Sequence, residues 1–146
     1  KIVYAAKGEG AYINGVKIKN TKQKVEINNA VVGLGIPTGP ESDTFIDAYA
    51  KPLNRQIRSL VFAGSYCADT LQLIEGSLDS VVLANATPYD AVTTMAIAQE
   101  AGYEVRSLSS GEIDFHQKKV PVMYSATKEL QKELLALLGQ RDNQPK

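Results

Sequence analysis

The spacing of apolar and polar positions divides the chain into an opening of short strands and a longer stretch where strands alternate with helices. IVYAA (2–6) is apolar and rich in strand formers. In KGEGAYINGVKIKN, Asn14-Gly15 stands between AYI and VKI. That predicts a hairpin, because both central positions of a type I′ turn need positive φ. A polar stretch, NTKQKVEINN, follows. The continuous apolar run NAVVGLGI (29–36) then predicts a strand buried on both faces. PTGPESD is a loop by composition.

From Asp43 the period becomes helical. Phe45, Ala48 and Tyr49 share a face, Pro52 kinks or restarts the helix, and Leu53 and Ile57 continue the apolar side. LVFAG (60–64) predicts a strand. SYCADTLQLIEG predicts a helix with Ser65 as N-cap, Gly76 past its end, and Cys67, Ala68, Leu71 and Ile74 facing the core. LDSVVLA (78–84) predicts another strand. TPYDAVTTMAIAQEAG is the clearest helix: Thr87 caps it, Pro88 takes the first helical position, Ala91, Met95 and Ala98 face inward, and Gly102 ends it. YEVRSL and VPVMYS are strands joined by a polar connection, SSGEIDFHQKK. ATKELQKELLALLG closes as a helix with Leu130, Leu134, Leu137 and Leu138 inward, before the polar RDNQPK.

This order predicts an α/β fold: a layered α/β/α sandwich on a mostly parallel or mixed sheet, plus an N-terminal β-hairpin whose strands can belong to a neighbouring sheet. No Pro/Gly/Ser linker divides the chain, so we expect one domain. It comprises a hairpin arm (1–28), an α/β/α core (29–139) and a polar tail (140–146).

Charge narrows the function. Lys plus Arg and Asp plus Glu each number 16 among 146 residues, so the net charge is zero and no electrostatic footprint for nucleic acid exists. The basic stretch Lys17, Lys19, Lys22, Lys24 does not change that balance. No apolar run reaches the roughly 18 residues of a membrane span. A single cysteine, Cys67, excludes an internal disulfide framework and fits a reducing, cytoplasmic setting; it reads as core packing. The chain begins at Lys1 and its first methionine is Met95. We therefore expect a preceding segment, either removed or belonging to a longer chain.

Two places could carry chemistry. In TPYD (87–90), Asp90 lies in the first turn of a helix that follows a strand, where a carboxylate suits Mg²⁺. Thr87 and Asp90 are also spaced as a capping box, and spacing alone favours that role. In AGSY (63–66), Gly64-Ser65 sits at a strand–helix junction that can receive a phosphate; an ordinary N-cap serine explains it as well. No Gly-Lys-Ser/Thr follows, so this is no Walker A loop. His116, the only histidine, lies in the charged connection and reads as solvated.

Taken in order, these pieces resemble the C-terminal half of the inositol monophosphatase family, from about residue 3 to residue 138. KGEGAYINGVKIKN resembles the family's glycine-rich hairpin, with Asn20 and Thr21 where a serine is usual. FAGSYCADTLQLIEGSLDSVVL resembles its strand, Gly-Ser turn, helix and G-x-x-D strand. PYDAVTTMAIAQEAG resembles its W-D-x-A-A helix ending in EAGG. The resemblance implies half of a sugar-phosphatase-like α/β/α/β/α fold and Mg²⁺-dependent hydrolysis of a phosphate monoester, of inositol or a related polyol or sugar. It implies that Asp90 is a metal ligand, that Gly64, Ser65 and Tyr66 lie against substrate, and that Asp79 is structural. It also implies a homodimer.

The departures are specific. Tyr89 replaces the tryptophan, Tyr103 replaces the second glycine of EAGG, and a polyol-gripping carboxylate falls on Leu83. The D-P-x-D-G-T segment that supplies most of the family's metal ligands occurs nowhere in the 146 residues. One carboxylate cannot hold two or three hydrated cations, so the chain alone is expected to be inactive and to need the missing N-terminal half as partner. Two alternatives remain: a phosphatase for nucleotide or sugar bisphosphates, and a non-catalytic binding or interaction module.

Overall fold

The computed structural model describes residues 1–109 and 112–139. The polar tail (140–146), with Ser110 and Gly111 of the polar connection, lies outside the described residues.

Strands β1 (Val3–Ala6), β2 (Gly10–Ile13) and β3 (Val16–Ile18) form an antiparallel sheet in that order. Asn14 and Gly15 both have positive φ, 49° and 82°, as the Asn-Gly pair predicts. Tyr4, Tyr12 and Lys17 pair across the three strands on one face. The two rings stack with centroids 5.1 Å apart. The opposite face carries Val3, Ala5, Ala11, Ile13 and Ile18 into the core.

A second sheet contains β4 (Val31–Gly35), β5 (Ser59–Val61), β6 (Ser80–Leu83), β7 (Glu104–Ser107) and β8 (Val122–Ser125), in the order β5-β4-β6-β8-β7. β5, β4 and β6 run parallel, and β8 is antiparallel to both β6 and β7. The sheet is therefore mixed. Every residue of β6 and β8 is buried, because helices cover both faces.

Alternation along these strands sorts two cores. Val81, Leu83, Val122 and Tyr124 point to the side of α3 (Tyr66–Ile74) and α4 (Pro88–Glu100). Val32, Leu34, Val82 and Met123 point to the other side. There they meet α5 (Lys128–Gly139) and a helical segment made of α1 (Ser42–Phe45), a π-helical stretch (Ile46–Ala50) and α2 (Lys51–Asn54). Helix α4 also touches β1 and β2, so it lies between the two sheets. The layers run sheet, helices, sheet, helices. The distortion before Pro52 takes the form of π-type bonding, one of the recognised causes of a helix bend. Ser42 and Asp43, assigned to a loop by composition, already belong to α1.

The segment after the hairpin is tied down by side chains. Lys22 Nζ donates to Asp79 Oδ1 at 2.6 Å and to the carbonyls of Gly76 and Leu78 at 2.9 and 3.1 Å. The Val31 amide donates to Asp79 Oδ2 at 2.8 Å. Lys22 is thus a part-buried structural cation. Asn20 Nδ2 donates to the Ala126 carbonyl at 2.8 Å.

One predicted face is corrected. Cys67 is exposed, not packed in the core. The buried face of α3 carries Asp69, Thr70, Leu73 and Ile74. Two polar residues occupy its inner positions, so counting apolar residues rotated the helix away from its true orientation.

Candidate functional site

The parallel strands β4, β5 and β6 end on the same side of the sheet, where α/β proteins form their crevices. From there the chain enters α3 through residues 62–65 and α4 through residues 84–87. The N-termini of α3 and α4 thus start from one edge, and the helices pack against each other.

Gly64 has φ +75°, and a Cβ there would meet nothing, so its glycine serves backbone conformation rather than space. Ser65 is extended at φ −150° and caps α3: its hydroxyl accepts from the Ala68 amide at 3.4 Å, and its carbonyl accepts from the Asp69 amide at 2.9 Å. Gly64 and Ser65 are exposed, and Tyr66 is half-buried. A Cβ on Gly35 would fall 2.4 Å from the Tyr66 ring, so the bare end of β4 makes room for that ring.

At the start of α4, Thr87 Oγ1 accepts from the Asp90 amide at 3.3 Å and donates to Asp90 Oδ2 at 2.7 Å. This is one half of the predicted capping box, the Asp90 amide on the Thr87 hydroxyl; the carboxylate accepts from that hydroxyl and not from the Thr87 amide. Asp90 Oδ1 has no hydrogen-bond partner among the described residues. Capping and ligation are therefore compatible, one for each oxygen. Tyr89, in the tryptophan's place, is 87% exposed. Leu83, in the polyol-gripping position, is wholly buried.

Tyr66 connects the two helix ends. Burial raises its phenol above the ordinary tyrosine range, and the negative charges of Asp90 and Asp69 add to that. Asp69 escaped sequence reasoning. It is fully buried, neither carboxyl oxygen has a hydrogen-bond partner, and burial pushes it up to about 6. Its signal in the sequence is a charged residue at the i+4 position from Ser65, on a helix that was expected to turn that side to solvent.

The remaining candidates lie elsewhere. Asp79 sits at the opposite end of β6 in its ion pair with Lys22. His116 is exposed in a turn with Asp114. Glu100, at the far end of α4, was also missed. Its carboxylate accepts from the Gly8 and Gly10 amides, both at 2.9 Å, which holds it below the usual glutamate range. Gly8 and Gly10 have φ of 79° and 97°.

Chemically, the edge offers one carboxylate oxygen, two helix N-termini that attract anions, a hydroxyl and a phenol. A hard divalent cation wants about six oxygens, so Asp90 fits as one ligand of such an ion and cannot complete its shell. Among the described residues no group of three or more His, Cys, Asp or Glu side chains could hold a metal. No helix among them is long and apolar enough to cross a membrane.

Comparison with known proteins bears on this arrangement. Residues 1–143 match the model of the inositol monophosphatase family. A protein of Aquifex aeolicus (strain VF5), fructose-1,6-bisphosphatase/inositol-1-monophosphatase, is 29% identical over 104 residues, covering 70% of this chain and 39% of its own length. The solved structure of a Thermotoga maritima IMPase superposes with a TM-score of 0.77 at 20% identity, over 94% of this chain and 51% of that one. An IMPase/NADP phosphatase complexed with Mg²⁺ and phosphate superposes with a TM-score of 0.74 at 22% identity, over 99% and 52%. The chain thus spans about half the length of these solved structures and less of the Aquifex protein.

Proposed function

This chain belongs to the inositol monophosphatase family, and on that premise we propose that it is the C-terminal part of a Mg²⁺-dependent phosphomonoesterase. The observation that carries the proposal is the shared edge: Gly64-Ser65 begins one helix, Asp90 begins the next, and Tyr66 lies in the field of Asp90. The substrate is a small phosphate monoester of inositol or a related polyol or sugar.

In this reading Asp90 would help to hold Mg²⁺, with its carboxylate oriented by the Thr87 hydroxyl at Oδ2. Mg²⁺, when bound, supplies positive charge to the phosphoryl oxygens and lowers the pKa of a bound water. The N-terminus of α3 presents backbone N–H groups and its dipole to the anion. Ser65 and the Gly64 backbone meet substrate hydroxyls, and the Tyr66 ring, pressed on Gly35, walls the site from the sheet. The remaining metal ligands must come from a polypeptide equivalent to the missing N-terminal half. The isolated chain is therefore inactive.

A second substrate class is a sugar or nucleotide bisphosphate. Leu83 is apolar and buried where a polyol-gripping carboxylate would fall, and the Aquifex relative carries both a bisphosphatase and a monophosphatase name.

The test uses Mn²⁺ as a paramagnetic substitute for Mg²⁺, with phosphate release measured alongside. Line broadening should centre on Asp90, vanish in Asp90→Asn, and occur without hydrolysis of inositol phosphate. Hydrolysis by the chain alone, unchanged in Asp90→Asn, would overturn the proposal.

A further inference from the structure

Tyr124 carries a hydroxyl into the core that apolar packing does not require. It lies in β8, paired with Val81 of β6 on one side and Val105 of β7 on the other. It is wholly buried, and Ser80 Oγ donates to its carbonyl at 2.7 Å. Its phenol reaches α4, where the oxygen lies 2.8 Å from Thr94 Oγ1 and 3.4 Å from the Ala91 carbonyl. Thr94 is also buried, and its hydroxyl donates to the Asp90 carbonyl at 2.6 Å.

The count of protons sets the direction of this chain of bonds. Each hydroxyl has one to donate. Thr94 gives its proton to the Asp90 carbonyl, the shortest of these contacts, so Tyr124 donates to Thr94 Oγ1. The reverse order leaves Thr94 nothing to give Asp90 and sends the phenol proton to Ala91 across 3.4 Å. A threonine inside a helix commonly bonds back to the carbonyl four residues earlier. Here a phenol from the sheet completes the arrangement and links the main chain at Asp90 to β8 through two hydroxyls.

Asp90 stands in the first turn of α4, and helix ends fray. Thr87 holds the carboxylate at Oδ2, but the position of that carboxylate depends equally on the main chain that bears it.

We propose that Tyr124 is a positioning residue for Asp90: its buried phenol, acting through the Thr94 hydroxyl, fixes the first turn of α4 to β8 and so sets where the Asp90 carboxylate stands. The consequence for Mg²⁺ rests on the ligand role proposed for Asp90.

The test follows amide hydrogen exchange by NMR in the parent chain, Tyr124→Phe, Thr94→Val and Thr94→Ser. Phe keeps the ring, Val keeps the volume without the hydroxyl, and Ser keeps the hydroxyl. The Asp90 and Ala91 amides donate to Thr87 Oγ1 and to the Thr87 carbonyl at 3.3 and 2.9 Å, so their exchange reports on the first turn. They should exchange about fivefold faster in Tyr124→Phe and Thr94→Val, while the amides of residues 96–100 stay within about twofold of the parent. Thr94→Ser should match the parent. No acceleration in Tyr124→Phe overturns the proposal, and so does an equal acceleration along all of α4, which is what a general loss of stability gives. If Tyr124→Phe fails to fold, Thr94→Val against Thr94→Ser decides on the same two readings.

Titration with Mn²⁺, read as broadening at Asp90, examines the consequence for the metal. Apparent Mn²⁺ affinity should fall about tenfold in Tyr124→Phe, as it does when a partner that orients a metal ligand is lost. Equal affinity in the parent and Tyr124→Phe overturns the positioning of Asp90. No broadening at Asp90 in the parent sinks the ligand role and leaves the exchange result standing.

Discussion

Asp79 and Asp69 lie ten residues apart and are both buried, yet their surroundings are opposite. Asp79 stands at the amino end of β6. One of its oxygens receives the Lys22 ammonium and the other the Val31 amide. Asp69 lies beneath the edge where α3 and α4 begin, and neither of its oxygens has a hydrogen-bond partner. At the Asp79 end the fold has satisfied its polar groups. At the Asp69 end, and on Asp90 Oδ1, it has left acceptor capacity unused. The difference teaches where binding can occur, because a saturated carboxylate has nothing left to offer a ligand.

The largest effect should come from breaking the saturated end. Asp79→Ala leaves a part-buried ammonium and a backbone amide unpaired, and should lower unfolding free energy by about 3 kcal/mol in urea denaturation. A loss well under 1 kcal/mol would remove the contrast.

Asp69→Asn should act with the opposite sign at neutral pH. A carboxyl raised from 3.8 to about 6 on folding binds more protons in the native chain than in the unfolded one between those values. Stability therefore falls as pH rises through that window, and the full penalty is present above pH 6. Removing the charge should stabilise the chain by about 2 kcal/mol at pH 8 and flatten the pH dependence between 4 and 6. Destabilisation at pH 8 would mean that Asp69 has a strong partner after all.

Thr87→Ala sharpens the same comparison at Asp90. Losing the N-cap should destabilise the chain by about 1 kcal/mol in thermal unfolding. Broadening at Asp90 by Mn²⁺ should persist, because Oδ1 is not used by the cap.

The smallest effect is expected at the far end of α4. Glu100→Gln should leave global stability nearly unchanged while speeding exchange of the Gly8 and Gly10 amides. Glu100 is held below its ordinary range when folded, so the stability it adds is present above the unfolded value and is lost as pH falls through the folded one. Parent and variant should converge in acid.

Much of the fold was legible because its determinants are local. Asn14-Gly15 encodes its own turn, Ser65 and Thr87 bond to amides three residues on, and the apolar runs of β6 and β8 announce strands covered on both sides. The candidate edge was half legible. Gly64, Ser65, Tyr66 and Asp90 carry motif signals at short spacing, whereas Asp69 belongs to no motif and is marked only by its charge four residues after Ser65. Its burial follows from how α3 is rotated on the sheet, and the apolar residues Cys67 and Ala68 pointed to the wrong rotation.

By itself, the sequence determined the order of strands and helices, their caps and turns, and the family whose motifs they spell. Each of these depends on backbone geometry among near neighbours, which side-chain type largely dictates. Only the tertiary structure decided that Glu100 would hold Gly8 and Gly10 across some ninety residues, that Lys22 would seek Asp79, and that Asp69 would be buried without a partner. Such pairings form only once the sheets and helices stack. Which polar groups are then satisfied depends on the position of every layer, not on any one stretch of chain.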